Sequence, residues 1–176
     1  TIEPGYAPEA DRRALQDAAM RREAAVAQGA KLDPAADPGP VDVNDYRIQT
    51  WLEDRYAERA GKPEYEKLRS SYKDKLPGGG AGLADTAFVE RLGRKFKSRD
   101  TGPASAFHAE LLERLSRQTQ VGDEALVSLA ETRGKTMRDA IVALGLEQGR
   151  VSVGPPARHP AQDKMVGSPL SLGAVH

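Results

Sequence analysis

The chain has 176 residues, with Lys+Arg and Asp+Glu at 26 each, a formal charge of zero and no cysteine. That balance leaves no basic footprint for nucleic acid, and the missing thiols exclude disulfides, thiolate metal sites and cysteine nucleophiles. Hydrophobic residues make up 39%, aromatics 5% and charged residues 30%, with mean hydropathy −0.59, which suits exposed helices over a small core with flexible segments between.

Residues 9–29 are rich in Ala, Arg and Glu, with Leu15, Ala18, Ala19 and Val26 along one stripe. The propensity predicts a helix whose burial is weak, lying against the core or a partner. The segment 31–40 carries three prolines among Asp and Gly and reads as a linker. Residues 42–76 predict two helices. Asn44 or Asp45 caps the first, and Ile48, Trp51, Leu52 and Tyr56 fall at helical spacing before Gly61 closes it. Pro63 suits the start of the second, whose stripe is Tyr65, Leu68 and Tyr72.

A glycine-rich break at 77–82 precedes a helix expected at 84–96, with Phe88, Leu92 and Phe96 spaced by four. Pro103 opens another helix, with Phe107, Leu111, Leu112 and Leu115 inward. Asp123 is the expected N-cap of the longest helix, about 124–144, whose stripe is Leu126, Leu129, Ala130, Met137, Ile141 and Leu144. The triplet 151–153 is the best strand candidate, and the Pro- and Gly-rich remainder predicts an extended tail. The expected fold is mainly α: a small bundle of five to six helices with one short C-terminal β-strand and flexible ends. Its parts are a helix and linker at 1–40, a core at 41–154 and a tail at 155–176.

Gly134-Lys135-Thr136 ends like a nucleotide-binding P-loop. Leu129 stands where that loop needs its first glycine, and the tripeptide lies inside an amphipathic helix with no preceding strand. The cluster 78–82 has Leu83 in place of the third glycine of a dinucleotide motif and reads as a plain loop. His108, His159 and His176 are scattered, so no metal site is expected, and His108 reads as a surface or rim residue. The basic run Arg91, Arg94, Lys95, Lys97 and Arg99, beside Phe96, is a candidate patch for an anionic surface or acidic partner. The plainer reading, which the residues favour, is a solvated helix end whose cations suit the C-terminal dipole. No cofactor, nucleotide or nucleic-acid partner is expected.

A family pattern lies in Leu126, Leu129-Ala130, Arg133, Leu144 and Arg150-Val151, with the stretches 62–79 and 107–126 upstream of it. Over about 42–154 the chain resembles the C-terminal region of the DUF748 proteins, large bacterial envelope proteins related to the AsmA-like group. It departs from them at Gly134, where that family more often has Ala. The resemblance implies a periplasmic location and a parent with a membrane anchor and a β-rich, lipid-accommodating body; any anchor is expected outside these residues. It implies a non-enzymatic helical module for docking or structural capping in envelope lipid homeostasis or transport. Its partners are the rest of the parent, another envelope protein or an anionic lipid surface. Arg133 also resembles the helix Arg of OmpA-like peptidoglycan-binding domains, implying contact with a cell-wall carboxylate. The Thr-Asp-x-x-Gly segment of that family is missing here.

Overall fold

A computed structural model describes residues 1–33, 36–73, 103–162 and 165–173. The helix expected at 84–96, the glycine-rich break at 77–82, His176 and the basic run Arg91, Arg94, Lys95, Lys97 and Arg99 lie outside the described residues. The chain is mainly α-helical, as its periodicity predicts. Among the described residues the α-helices are α1 (Pro8–Ala27), α2 (Tyr46–Ala60), α3 (Lys62–Lys73), α4 (Pro103–Gln118) and α5 (Asp123–Ala143). Among the described residues four two-residue strands join them: β1 (Gly5–Tyr6), β2 (Ala157–Arg158), β3 (Ala161–Gln162) and β4 (Met165–Val166).

The chain divides into two compact units. One is Asp17–Thr119; the other joins Thr1–Gln16 to Gln120–His176. The boundaries expected at 40 and 154 fall elsewhere, because α1 gives its first half to the second unit and its remainder to the first.

The 17–119 unit is a small helical bundle. Its core follows a spacing of four along three helices: Met20 and Ala24 on α1, Ile48, Leu52 and Tyr56 on α2, Phe107, Leu111 and Leu115 on α4. Leu68 of α3 completes it. Residues four apart share one face of a helix, so each helix presents a continuous ridge. Tyr72 meets Phe107 edge-on at 5.4 Å between ring centroids. Asp45 is the N-cap of α2, its Oδ1 accepting from the Arg47 and Ile48 N–H groups, and Gly61 ends that helix at φ 89°. The expected stripe of α1 is corrected: Ala19 and Val26 are exposed, and Met20 and Ala24 are the buried pair. Ala-rich composition conceals which face is apolar, since alanine fits either. The linker is fastened to α1 by Arg22, which donates to the Asp33 and Ala36 carbonyls at 2.9 and 2.6 Å.

The other unit is built from the two ends of the described chain. β1 runs parallel to β2, with Gly5 opposite Ala157 and Tyr6 opposite Arg158, while β3 and β4 form an antiparallel pair. Of the strand expected at 151–153, Val153 bridges to Ile2. The region expected as an extended tail holds β2, whose pairing edge the N-terminal segment supplies, and the locally paired β3 and β4. Tyr6 packs with Leu126 and Ala130 of α5. Asp123 is not the N-cap of α5. Gly122 holds that position without a side-chain cap bond, and Asp123 instead accepts from Arg12 Nη2 at 2.6 Å. The second half of the expected α5 stripe is not buried: Met137 and Ile141 are half-buried and Leu144 is 86% exposed.

Gly134, read from sequence as a departure from the resembled family, has a packing role. It is buried, and a Cβ there would lie 2.7 Å from Val153 Cγ1 and 3.1 Å from Pro4 Cβ. The glycine lets the N-terminal segment and Val153 approach the helix backbone. Gly134→Ala is therefore predicted to lower stability by about 1 kcal/mol net, overpacking exceeding the helix-propensity gain of similar size. Denaturant unfolding of Gly134→Ala with and without Val153→Ala checks this. The account expects the alanine to be better tolerated once Val153 Cγ1 is removed, and equal losses in both backgrounds would contradict it.

Candidate functional site

Of the polar residues singled out by sequence, Arg133 lies in a polar cluster of one unit and His108 in a polar cluster of the other. In the unit built from the chain ends, α1 begins at Pro8, whose missing N–H costs nothing at a first helical position. One turn on, Asp11 reaches back so that its Oδ2 accepts from the Ala7 N–H at 2.7 Å. Arg133, projecting from the middle of α5, places Nη2 2.7 Å from Asp11 Oδ1 and Nη1 2.9 Å from Oδ2. Nη1 also donates to the Gly5 carbonyl at 3.4 Å. The planar fork of a guanidinium fits both oxygens of one carboxylate, which makes this a strong form of ion pair.

Burial acts first on Asp11, whose side chain is 5% exposed, and alone would raise its pKa. The Arg133 hydrogen bonds, the Ala7 N–H and the Arg133 charge outweigh that, and the carboxyl titrates below its ordinary range. Asp11 escaped the sequence reading. Its signal was an acid in the first turn of α1, and nothing local linked it to a helix more than a hundred positions away.

In the 17–119 unit, His108 is not a surface or rim residue: it is fully buried. Its Nε2 lies 2.8 Å from Glu53 Oε1, and Glu53 Oε2 accepts from the Tyr65 hydroxyl at 2.7 Å. The expectation fails because α2 brings Glu53 to the same place. A histidine on an apolar helix face needs a polar partner when buried, and here a carboxylate supplies it. Burial would raise the Glu53 pKa, but the bonds from His108 and Tyr65, with the charges of His108 and Arg69, lower it instead. Burial, then the Glu53 charge and hydrogen bond, push Tyr65 up.

Lys135 and Thr136 are exposed inside α5, and Thr136 Oγ1 donates to the Thr132 carbonyl at 3.0 Å. Around Gly134-Lys135-Thr136 the backbone is helical, so its N–H groups are engaged along the helix rather than splayed toward a phosphate. His159 follows β2, where its backbone N–H donates to the Tyr6 carbonyl. Among the described residues, no group of three or more His, Asp or Glu side chains is placed to hold a metal ion, and no helix is long and apolar enough to cross a membrane.

Comparison with protein-family models, curated proteins and solved structures finds no match to this chain.

Two predictions follow from the lowered carboxyls. Asp11 and Glu53 stabilise the fold fully above the ordinary carboxyl range, about pH 4, and that stability is lost as pH falls through their lower folded values. Denaturant unfolding at steps of about half a pH unit downward through the ordinary carboxyl range of about pH 4 should show a falling stability whose slope is reduced in Glu53→Gln. Arg133→Met should cost about 2 kcal/mol. That is less than for a fully buried pair because the Arg133 side chain is 35% exposed. Asp11→Asn in the Arg133→Met background should recover part of the loss, since it removes the unpaired charge; no recovery would count against the pairing.

Proposed function

We propose that the chain is a non-enzymatic helical module of a DUF748/AsmA-like periplasmic protein, serving docking or structural capping in envelope lipid homeostasis or transport. The observation that carries this reading is Leu144. It is one of the positions on which the family resemblance rests, and it is 86% exposed at the end of α5. Leu126 and Ala130, also matched, are core, and Arg133 holds Asp11. Leu144 has no such internal use, and a large apolar side chain left in water suits a contact surface. Leu146, Leu170 and Leu172 of the same unit are likewise exposed. Supporting the non-enzymatic part, His108 lies wholly inside the bundle and the Arg133 fork is occupied by a carboxylate.

The test is site-specific photocrosslinking in cells that make the chain within its natural reading frame. A photoreactive residue at Leu144 should crosslink to the rest of the same polypeptide or to an envelope protein, and the chain should fractionate with the envelope. Leu144→Asp should abolish co-purification of that partner while changing stability by less than about 0.5 kcal/mol, as expected for an exposed position. Crosslinking no stronger than from exposed Glu131, or recovery in the cytosol, would overturn the reading. Co-sedimentation with purified peptidoglycan that is lost in Arg133→Ala would favour the OmpA-like alternative instead.

A further inference from the structure

The segment Thr1–Tyr6 is held along both edges. On one side Ile2 N–H donates to the Ser152 carbonyl at 2.8 Å, and the N–H groups of Gly154, Ala157 and His159 donate to the carbonyls of Ile2, Pro4 and Tyr6 at 2.8–2.9 Å. On the other side Glu3 N–H donates to Pro169, Ser171 N–H to Thr1, and Gly5 N–H to Ser168 Oγ. The side chains alternate accordingly, with Ile2, Pro4 and Tyr6 buried while Thr1 and Glu3 are exposed. Gly5 has no room for a side chain, since a Cβ would lie 2.1 Å from the Gly167 carbonyl oxygen. This is how a fold recognises an extended peptide: main-chain bonds for affinity, and alternate pockets for identity.

We propose that this groove also accepts the N-terminal segment of a second copy of the chain, so that two chains exchange residues 1–16 and each completes the other's 120–173 fold. Three observations point there. The matching occupant is the chain's own sequence, and an identical segment would make every bond described above, the Asp11–Arg133 pair included. Donor and acceptor are separated in sequence by all of 17–119, whose core from Met20 to Leu115 contains none of the groove residues. Finally, the acceptor is poor in apolar residues of its own. Leu126 and Ala130 are buried around Tyr6, so an empty groove would expose them and demand an occupant. Exchange of an identical element keeps all contacts and is a low-cost route to a dimer.

The absence of cysteine makes a clean test possible. Thr1 Oγ1 and Ser152 Oγ are 2.8 Å apart and exposed, so Thr1→Cys/Ser152→Cys places two thiols within bonding reach. The full chain is refolded from denaturant over a range of protein concentrations, oxidised, and run on a non-reducing denaturing gel. A segment seated in its own chain gives linked monomer. Exchange gives linked dimer whose share rises with concentration, while the control pair Thr1→Cys/Ser128→Cys gives none. Light scattering on the cysteine-free chain refolded the same way should show the dimer as well, so failure of the variant to fold does not shelter the proposal. Linked monomer at every concentration, a light-scattering dimer whose disulfides are all within one chain, or equal linked dimer from the control pair would each overturn it.

Discussion

A buried carboxylate must be paired, and for Asp11 the partner is Arg133. The rest of the unit made from the chain ends depends on that constraint. Asp11 fixes the start of α1 through the Ala7 N–H, Arg133 fixes the middle of α5, and the Gly5 carbonyl on the same guanidinium ties β1 to both. With α1 and α5 held at that point, Tyr6 closes over Leu126 and Ala130. Pro4 rests against Gly134, where a larger residue would keep it away. The apolar contribution here is small, so a charge-assisted pair and a row of main-chain bonds carry weight that a large core would otherwise supply.

The 17–119 unit solves the same problem with different means. Ridges of apolar residues four apart give it a core dense enough to take His108 and most of Glu53 inside. Glu23 of α1 binds Arg59 of α2 at 2.8 Å and also pairs with Arg55, so the Ala-rich helix is held by ion pairs as well as by Met20 and Ala24. Neither polar cluster is left open. His108, expected at the surface or rim, and Arg133, the candidate ligand contact, both have structural partners from distant elements.

This difference between the units explains what the sequence made legible. α2, α3 and α4 were readable because their apolar residues recur at the helical period and their ends carry Asp45, Gly61 and Pro103. α5 was readable as a helix and the first half of its buried face, with Leu126 and Ala130, was too; the second half was not, since Gly134 is buried through the close approach of Pro4 and Leu144 is left exposed. The pairing of β1 with β2 had no local signature: two-residue strands show no alternation, and their partners lie at opposite ends of the chain. The same distance hid Asp11, and separation between α2 and α4 hid Glu53. Arg133 could be singled out by its place in a family pattern, but its role as a structural anchor required the partner.

The central claim is that residues 1–7 are an integral strand of the unit they complete. Native-state hydrogen exchange tests it most directly, because it reads the opening energy of each amide separately. The account predicts that the amides of Ile2, Gly154, Ala157 and His159 exchange with the same opening free energy as those of α5 from Leu126 to Gly134. Fast exchange at Ile2, Gly154, Ala157 and His159 while the α5 amides stay protected would contradict it.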